Sequence, residues 1–359
     1  MATDQRVLKV AQTLQNMNYD ILLVGRLLEN SLEVPQFKNH RMRLFFNKGV
    51  AFYTEYHVRL FIYLLFTKAD VLVANDLDTL LPNFLISKIK GSKLVYDSHE
   101  YYTEVPELQN NPIKKKIWLM VERFIFPKLQ NVFTVNKSIA EIYEKKYHVK
   151  VNVLRNFPRK KQLSFDTKEM LRIKLQLPTN KKIIILQGSG INVSRGGEEA
   201  VEAMQYCHNT VLYIIGSGDA IPDLKQMVGR LKLEEKVVFM GKLPYGQLVQ
   251  YTAAADVGLT LDKDNNMNYR YSLPNKLFDY FLCGTPVIAS KLVEIEKIYH
   301  QFNFGLLINS VTASQVAEAI NSIDTSSNTY KKWLQNIKEA SELLCWENEE
   351  KIIHEVYTF

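Results

Sequence analysis

In the first part of the chain, short apolar β-branched runs stand at Ile21 to Val24, Val71 to Ala74, Leu94 to Tyr96 and Val132 to Val135. Apolar residues recur at helical spacing between them, and strands alternating with helices predict a parallel sheet. A further run, Val151 to Leu154, leads into the polar stretch Asn156-Phe-Pro-Arg-Lys-Lys-Gln, which Pro158 breaks and which reads as a hinge. A second series follows: Ile183 to Leu186, Val211 to Ile215, Val237 to Met240, Val257 to Thr260, Val287 to Ala289 and Gly305 to Ile308. It predicts a second α/β domain. A last helix, about Glu347 to Tyr357, comes after that sheet is complete, so its apolar face needs another surface, expected on the first domain. The boundaries drawn are 1–155, 156–345 and 346–359.

The beginning of the chain is unusual. Val7, Ala11 and Leu14 read as one face of a helix capped by Thr3 or Asp4, with no strand before it. In a doubly wound sheet the first strand is central. The expectation is therefore an N-terminal sheet short of its first strand, from a reading frame that extends upstream of Met1.

Composition changes little in this picture. A length of 359 residues suits two cores, and 47% hydrophobic with 23% charged residues is ordinary for a folded chain. Cys207, Cys283 and Cys345 are far apart and form no C-x-x-C pair, as expected of buried thiols in a reducing compartment rather than of disulfides or zinc ligands. The longest apolar run, Leu60 to Phe66, has seven residues, against the ~20 needed to span a bilayer. With no signal-peptide pattern, the expected location is cytoplasmic.

The net charge of +7 lies entirely in the N-terminal part: 22 basic against 15 acidic residues through Arg155, then 23 against 23. Arg41, Arg43 and Lys48 surround Phe45 and Phe46, and Lys114 to Lys116 precede Ile117 and Trp118. Cations interleaved with large apolar groups suit anionic headgroups or phosphorylated acceptors, so contact with the inner face of an anionic membrane is weighed against ordinary solvated helices. No nucleic-acid module accompanies the charge, and nucleic acid is set aside.

Candidate chemistry concentrates after residue 187. Two strands end in glycine-rich loops, Gln187-Gly188-Ser-Gly190 and Gly216-Ser-Gly218-Asp219, where backbone can approach a ligand. Arg195-Gly196-Gly197 sets a cation beside a helix start, which suits a diphosphate. Neither loop is a complete G-x-G-x-x-G or a P-loop, which counts against dehydrogenases and kinases. The segment Ser272-Leu273-Pro274-Asn275-Lys276-Leu-Phe-Asp279 opens a helix that Gly284 closes. Lys276 and Asp279 share a helix face, where one can hold phosphate and the other ribose hydroxyls. Asp262-Lys-Asp264 has the spacing of a manganese-binding D-x-D, but its place inside a βα unit reads as a solvated loop, and no metal is expected.

At these residues the chain resembles the GT-B glycosyltransferases, specifically the retaining family 4. That family carries two glutamates with seven residues between them ahead of a Gly-Thr-Pro-Val segment. Asp279 stands at the second position and Tyr271 at the first. Phe239-Met-Gly241-Lys242-Leu243-Pro244 resembles the nucleobase-holding segment, Arg195-Gly196 replaces a Lys-Gly that contacts the diphosphate, and Ser189 replaces an arginine. In the N-terminal part, Asn75-Asp76 and Asp97-Ser98-His99-Glu100 resemble cleft-lining loops, with His99 matching the histidine near the transferred sugar.

The resemblance implies two facing Rossmann-like domains, the first for the acceptor and the second for a UDP- or GDP-sugar donor, with no cofactor required. It implies retaining transfer to a glycan or lipid-linked acceptor in polysaccharide or glycolipid synthesis. His99 would contact the donor sugar, and Asp97 or Glu100 would serve as acid or base. Donor binding would fall to Gly188, Gly190, Arg195, Gly216, Gly218, Gly241, Lys242, Leu243, Tyr271, Leu273, Pro274, Asn275, Lys276 and Asp279. A non-catalytic sugar-nucleotide-binding or glycan-binding protein and a sugar-nucleotide epimerase remain as alternatives.

Overall fold

The structure, a computed structural model, describes residues 4–29, 31, 33–160 and 166–358; Thr3, Lys161 and Gln162, named above, lie outside these. The chain divides into two compact units, Met1–Asn156 with Glu347–Phe359, and Phe157–Trp346. All strand pairs are parallel.

The N-terminal unit opens with helix Gln5–Asn16, whose first amides, those of Arg6 and Val7, donate to the Asp4 carboxylate. Its strands are β1 (Leu22–Arg26), β2 (Lys38–Met42), β3 (Val71–Asn75), β4 (Lys93–Ser98), β5 (Asn131–Thr134) and β6 (Asn152–Val153). They form two sheets, β1-β2 and β3-β4-β5-β6. Among the described residues no strand joins the two ladders. Helix Trp346–Val356 is tied into this unit, where Glu349 accepts the Arg155 backbone N–H at 2.6 Å and Glu350 accepts the Thr13 hydroxyl at 3.0 Å.

The C-terminal unit holds β7 (Lys182–Gly188), β8 (Thr210–Gly216), β9 (Val237–Gly241), β10 (Val257–Thr260), β11 (Val287–Ser290) and β12 (Gly305–Ile308), in the order β12-β11-β10-β7-β8-β9. Its central strands are continuous apolar runs because both faces are covered. Ile184 and Leu186 enter one core with Leu212 and Ile214, while Ile183 and Ile185 enter the other with Val211 and Tyr213. Each such buried side chain contributes about 1.5–3 kcal/mol, which fixes the register and hence where β7 and β8 end. They end together, Gly188 opposite Gly216.

Candidate functional site

At the carboxyl ends of β7 and β8, two loops pack backbone against backbone. Gly216 has φ +140°, and a β-carbon there would stand 1.8 Å from the Gly188 carbonyl oxygen; one on Gly218 would stand 2.1 Å from the Ile191 carbonyl. Hydrogen bonds Ile191 N to Ser217 O (2.9 Å) and Ser217 N to Gly188 O (3.1 Å) lace the loops together. Gly190 is left more open, with only Asn192 side-chain atoms near its β-position. The glycines therefore serve first to join two loops, and they keep side chains away from the strand ends.

Lys276 approaches this junction. It lies in the first turn of helix Asn275–Leu282, which Pro274 begins without any side-chain cap. Its side chain is buried, and a β-carbon on Gly188 would be 3.9 Å from its Nζ. Burial pushes its pKa down; Asp262 opposes that push and Arg195 adds to it. Asp262 is wholly buried, both carboxylate oxygens lack hydrogen-bond partners, and Arg195 Nη1 lies 3.6 Å away. The Arg195 guanidinium also lies over the Tyr269 ring at 4.8 Å. Two cations thus share one buried carboxylate beside an uncapped helix start, leaving net positive charge for an anion.

This corrects the reading of Asp262-Lys-Asp264 as a solvated loop. It holds for Asp264, which is exposed and paired with Arg270 at 2.8 Å, but not for Asp262. Sequence reasoning missed Asp262 because spacing suggested only a metal motif; its position directly beyond β10 was the available signal. Among the described residues, no group of His, Cys, Asp and Glu is arranged to hold a metal ion.

Asp279, one turn beyond Lys276, accepts the Tyr245 hydroxyl at 2.9 Å and the Gln187 side-chain amide at 3.5 Å. It is half-buried rather than solvated. Leu243 and Leu273 pack against the core, Gly241 (φ +67°) and Lys242 are exposed at the end of β9, and Asn275 is exposed at the helix start. Tyr271 is half-buried just after helix Met267–Arg270.

The N-terminal unit carries a second cluster, beyond β3 and β4. Asp97 is buried and chelated by Arg6, whose Nε lies 2.9 and 3.1 Å from its two oxygens. Arg6 also donates to the Leu154 carbonyl. Burial would raise the Asp97 pKa, but Arg6 and His99 outweigh it and hold the carboxyl well below the usual range. The His99 ring lies 3.4 Å from Asp97, 3.5 Å from Asp4 and 3.6 Å from Asp76. Burial opposes its charge, yet Asp76 and Asp97 raise its pKa to about 9.

Burial lifts Asp76 to about 7 and Asp78 to about 6, with Glu100 adding to both. Asp76 has φ +60° and ψ 169°, a conformation disfavoured for any side chain, and its carboxylate accepts the His99 backbone N–H at 2.8 Å. Asp97 is therefore committed to an ion pair with Arg6, whereas burial shifts Asp76 and Asp78 upward toward neutrality. Glu100 remains half-buried beside them. Arg6 gave no signal in sequence beyond one polar residue on an apolar helix face.

Residues 167–340 match the family described as glycosyl transferases group 1. No curated protein matches the chain. Among solved structures, sucrose-phosphate synthase from Thermosynechococcus elongatus aligns with TM-score 0.78 and 17% identity over 98% of this chain and 92% of that one. WaaG, a glycosyltransferase involved in lipopolysaccharide biosynthesis, aligns with TM-score 0.77 and 17% identity over 98% and 95%. Anabaena Alr3699/HepE, solved in complex with UDP, gives 0.74 and 17% over 98% and 95%. The fold shared along nearly the whole length is that of the GT-B glycosyltransferases, and the match to the glycosyl transferases group 1 family falls on most of the C-terminal unit.

Proposed function

We propose that this chain transfers a sugar from a nucleoside-diphosphate sugar to a glycan or lipid-linked acceptor, with retention, in polysaccharide or glycolipid synthesis. The observation that carries the reading is Lys276, an ammonium buried in an uncapped first turn beside the end of β7, inside the segment matched to the family. Glycosyl transfer builds negative charge on the departing diphosphate. Lys276, Arg195 and the amides of helix Asn275–Leu282 would meet that charge without a metal. Asp279, held by Tyr245 and Gln187, would accept ribose hydroxyls, and the exposed backbone from Gly241 to Leu243 would take the base. The bound UDP in Anabaena Alr3699/HepE supports a uridine or similar donor.

His99 is assigned to the donor sugar as an imidazolium, held charged by Asp76 and Asp97. Asp97 positions His99 and Arg6 rather than moving a proton. A thermal-shift screen against UDP, GDP, ADP and their sugars tests the proposal: one nucleotide family should raise the melting temperature. No shift with any of them would remove it.

Membrane contact belongs to the same proposal. Phe45 is 83% exposed and Ile113 75%, among Arg43, Lys48, Lys114 and Lys116. Glu55 accepts the N–H groups of Phe45 and Phe46 at 2.9 Å, which fixes the loop that presents them. Trp118, in contrast, turns inward and is buried. The contact proposed is peripheral, at the inner face of the membrane; among the described residues no helix is long and apolar enough to cross one. Flotation with phosphatidylglycerol vesicles should exceed that with phosphatidylcholine and fall in a Phe45→Ser, Phe46→Ser variant; equal recovery in all three would refute it.

A further inference from the structure

The segment that leaves β10 is fastened to the loop ahead of helix Gly197–Ala203. Gly196 has φ +77°, and a β-carbon there would stand 2.2 Å from the Leu261 β-carbon and 2.5 Å from the Leu261 carbonyl oxygen, so only glycine lets the two come this close. Two residues on, the Lys263 N–H donates to the Ser194 carbonyl at 3.0 Å, and the Lys263 ammonium pairs with Glu199 at 2.5 Å. Leu261 and Lys263 are thereby committed to the loop. Asp262, between them, meets Arg195 of the same loop at 3.6 Å.

A carboxylate with no exposed surface and no hydrogen bond is costly to keep charged, and cations must offset the loss of water. The groups that feel the Asp262 charge are Arg195 from the loop and Lys276 and Tyr280 from helix Asn275–Leu282. The Tyr280 hydroxyl is already taken up, donating to the Leu259 carbonyl at 3.0 Å, and Lys263 is held by Glu199. That leaves the two cations. Lys276 in turn depends on Asp262, because burial and Arg195 both drive it toward the neutral amine and Asp262 opposes them.

We infer that Asp262 is a positioning residue for the phosphate site: its carboxylate holds Arg195 in place and keeps Lys276 an ammonium, so that a buried negative charge strengthens the binding of a negatively charged ligand. The inference rests on the reading of Lys276 and Arg195 as the groups that meet a diphosphate. Direct repulsion between Asp262 and the ligand acts in the opposite sense, so the sign of the effect on removing the carboxylate separates the two.

The test is titration calorimetry with UDP and with GDP on wild type, Asp262→Asn, Lys276→Met and the double variant, from about pH 6 to about pH 9. Asp262→Asn should bind the preferred nucleotide about tenfold more weakly at pH ~8, and its binding should fall off at lower pH than that of wild type. In the Lys276→Met background the same substitution should cost much less and lose its pH dependence, because the ammonium it acts through is gone. Unchanged or tighter binding by Asp262→Asn overturns the inference, as does an equal loss in both backgrounds without a pH shift. If Asp262→Asn alone does not fold, adding Lys276→Met should restore folding, since one carboxylate and one ammonium are then removed together; a double variant that stays unfolded overturns the inference too. A wild-type chain that binds neither nucleotide removes the proposed function, and this inference with it.

Discussion

Replacing Lys276 by methionine removes the ammonium while keeping an unbranched chain in its buried place. A hydrogen bond to a charged group contributes about 1.5–3 kcal/mol. The ammonium is already buried before a ligand arrives, and its lowered pKa records that burial, so little further desolvation offsets the gain. Taking ~2 kcal/mol, the dissociation constant for the preferred nucleoside diphosphate should rise about 30-fold. At a concentration 100 times the wild-type constant, ligand stabilisation should fall from ~2.7 to ~0.9 kcal/mol. For a unit of this size that is a thermal shift of roughly 8 °C reduced to roughly 3 °C. Titration calorimetry gives the constant and differential scanning fluorimetry the shift. An unchanged constant in a folded Lys276→Met variant would refute the placement of phosphate at this helix.

Other consequences are independent of that one. Asp279→Ala should raise the donor KM by about tenfold or more, as expected for a lost charge-assisted hydrogen bond, and an unchanged KM in steady-state assays would remove the ribose assignment. Gly216→Ala places a β-carbon 1.8 Å from the Gly188 carbonyl and should cost at least ~3 kcal/mol in urea unfolding or prevent folding. Because the His99 pKa is raised to about 9, its contribution is complete below pH ~6.5 and fades as pH rises through about 9. The stability gap between wild type and His99→Gln should therefore narrow over that window, and a pH-independent gap would show that the ring is neutral. Arg6→Met removes the guanidinium that chelates buried Asp97, leaving only the His99 ring beside it, and should destabilise by about 3 kcal/mol, read by chemical denaturation.

The strands that bury both faces were plain in the sequence: β7, β8, β10 and β11 are uninterrupted apolar runs, and the observed elements extend them by at most a few residues. β2, Lys-Asn-His-Arg-Met, was not legible, because an edge strand with one well-buried residue has neither alternation nor an apolar run. The helix start at Pro274 and the glycine loops were readable from punctuation alone. What those residues do was less so. Lys276 and Asp279 share a helix face by spacing, yet Lys276 is buried beside Gly188 while Asp279 is held by Tyr245 and Gln187. Asp262 and Arg6 were hidden for a common reason: each is a charge whose burial depends on a partner distant in sequence, and spacing carries no information about such pairs.

The central claim is that the chain moves a sugar rather than only binding its nucleotide. Mass spectrometry of reactions containing UDP- and GDP-sugars, with and without glycan and lipid-linked acceptors, tests this directly. The expected result is release of one nucleoside diphosphate with a matching glycosylated product, both strongly reduced in Lys276→Met. Saturable nucleotide binding with no turnover of any donor would contradict it and leave a binding protein, and interconverted sugar nucleotides without an acceptor would show an epimerase instead.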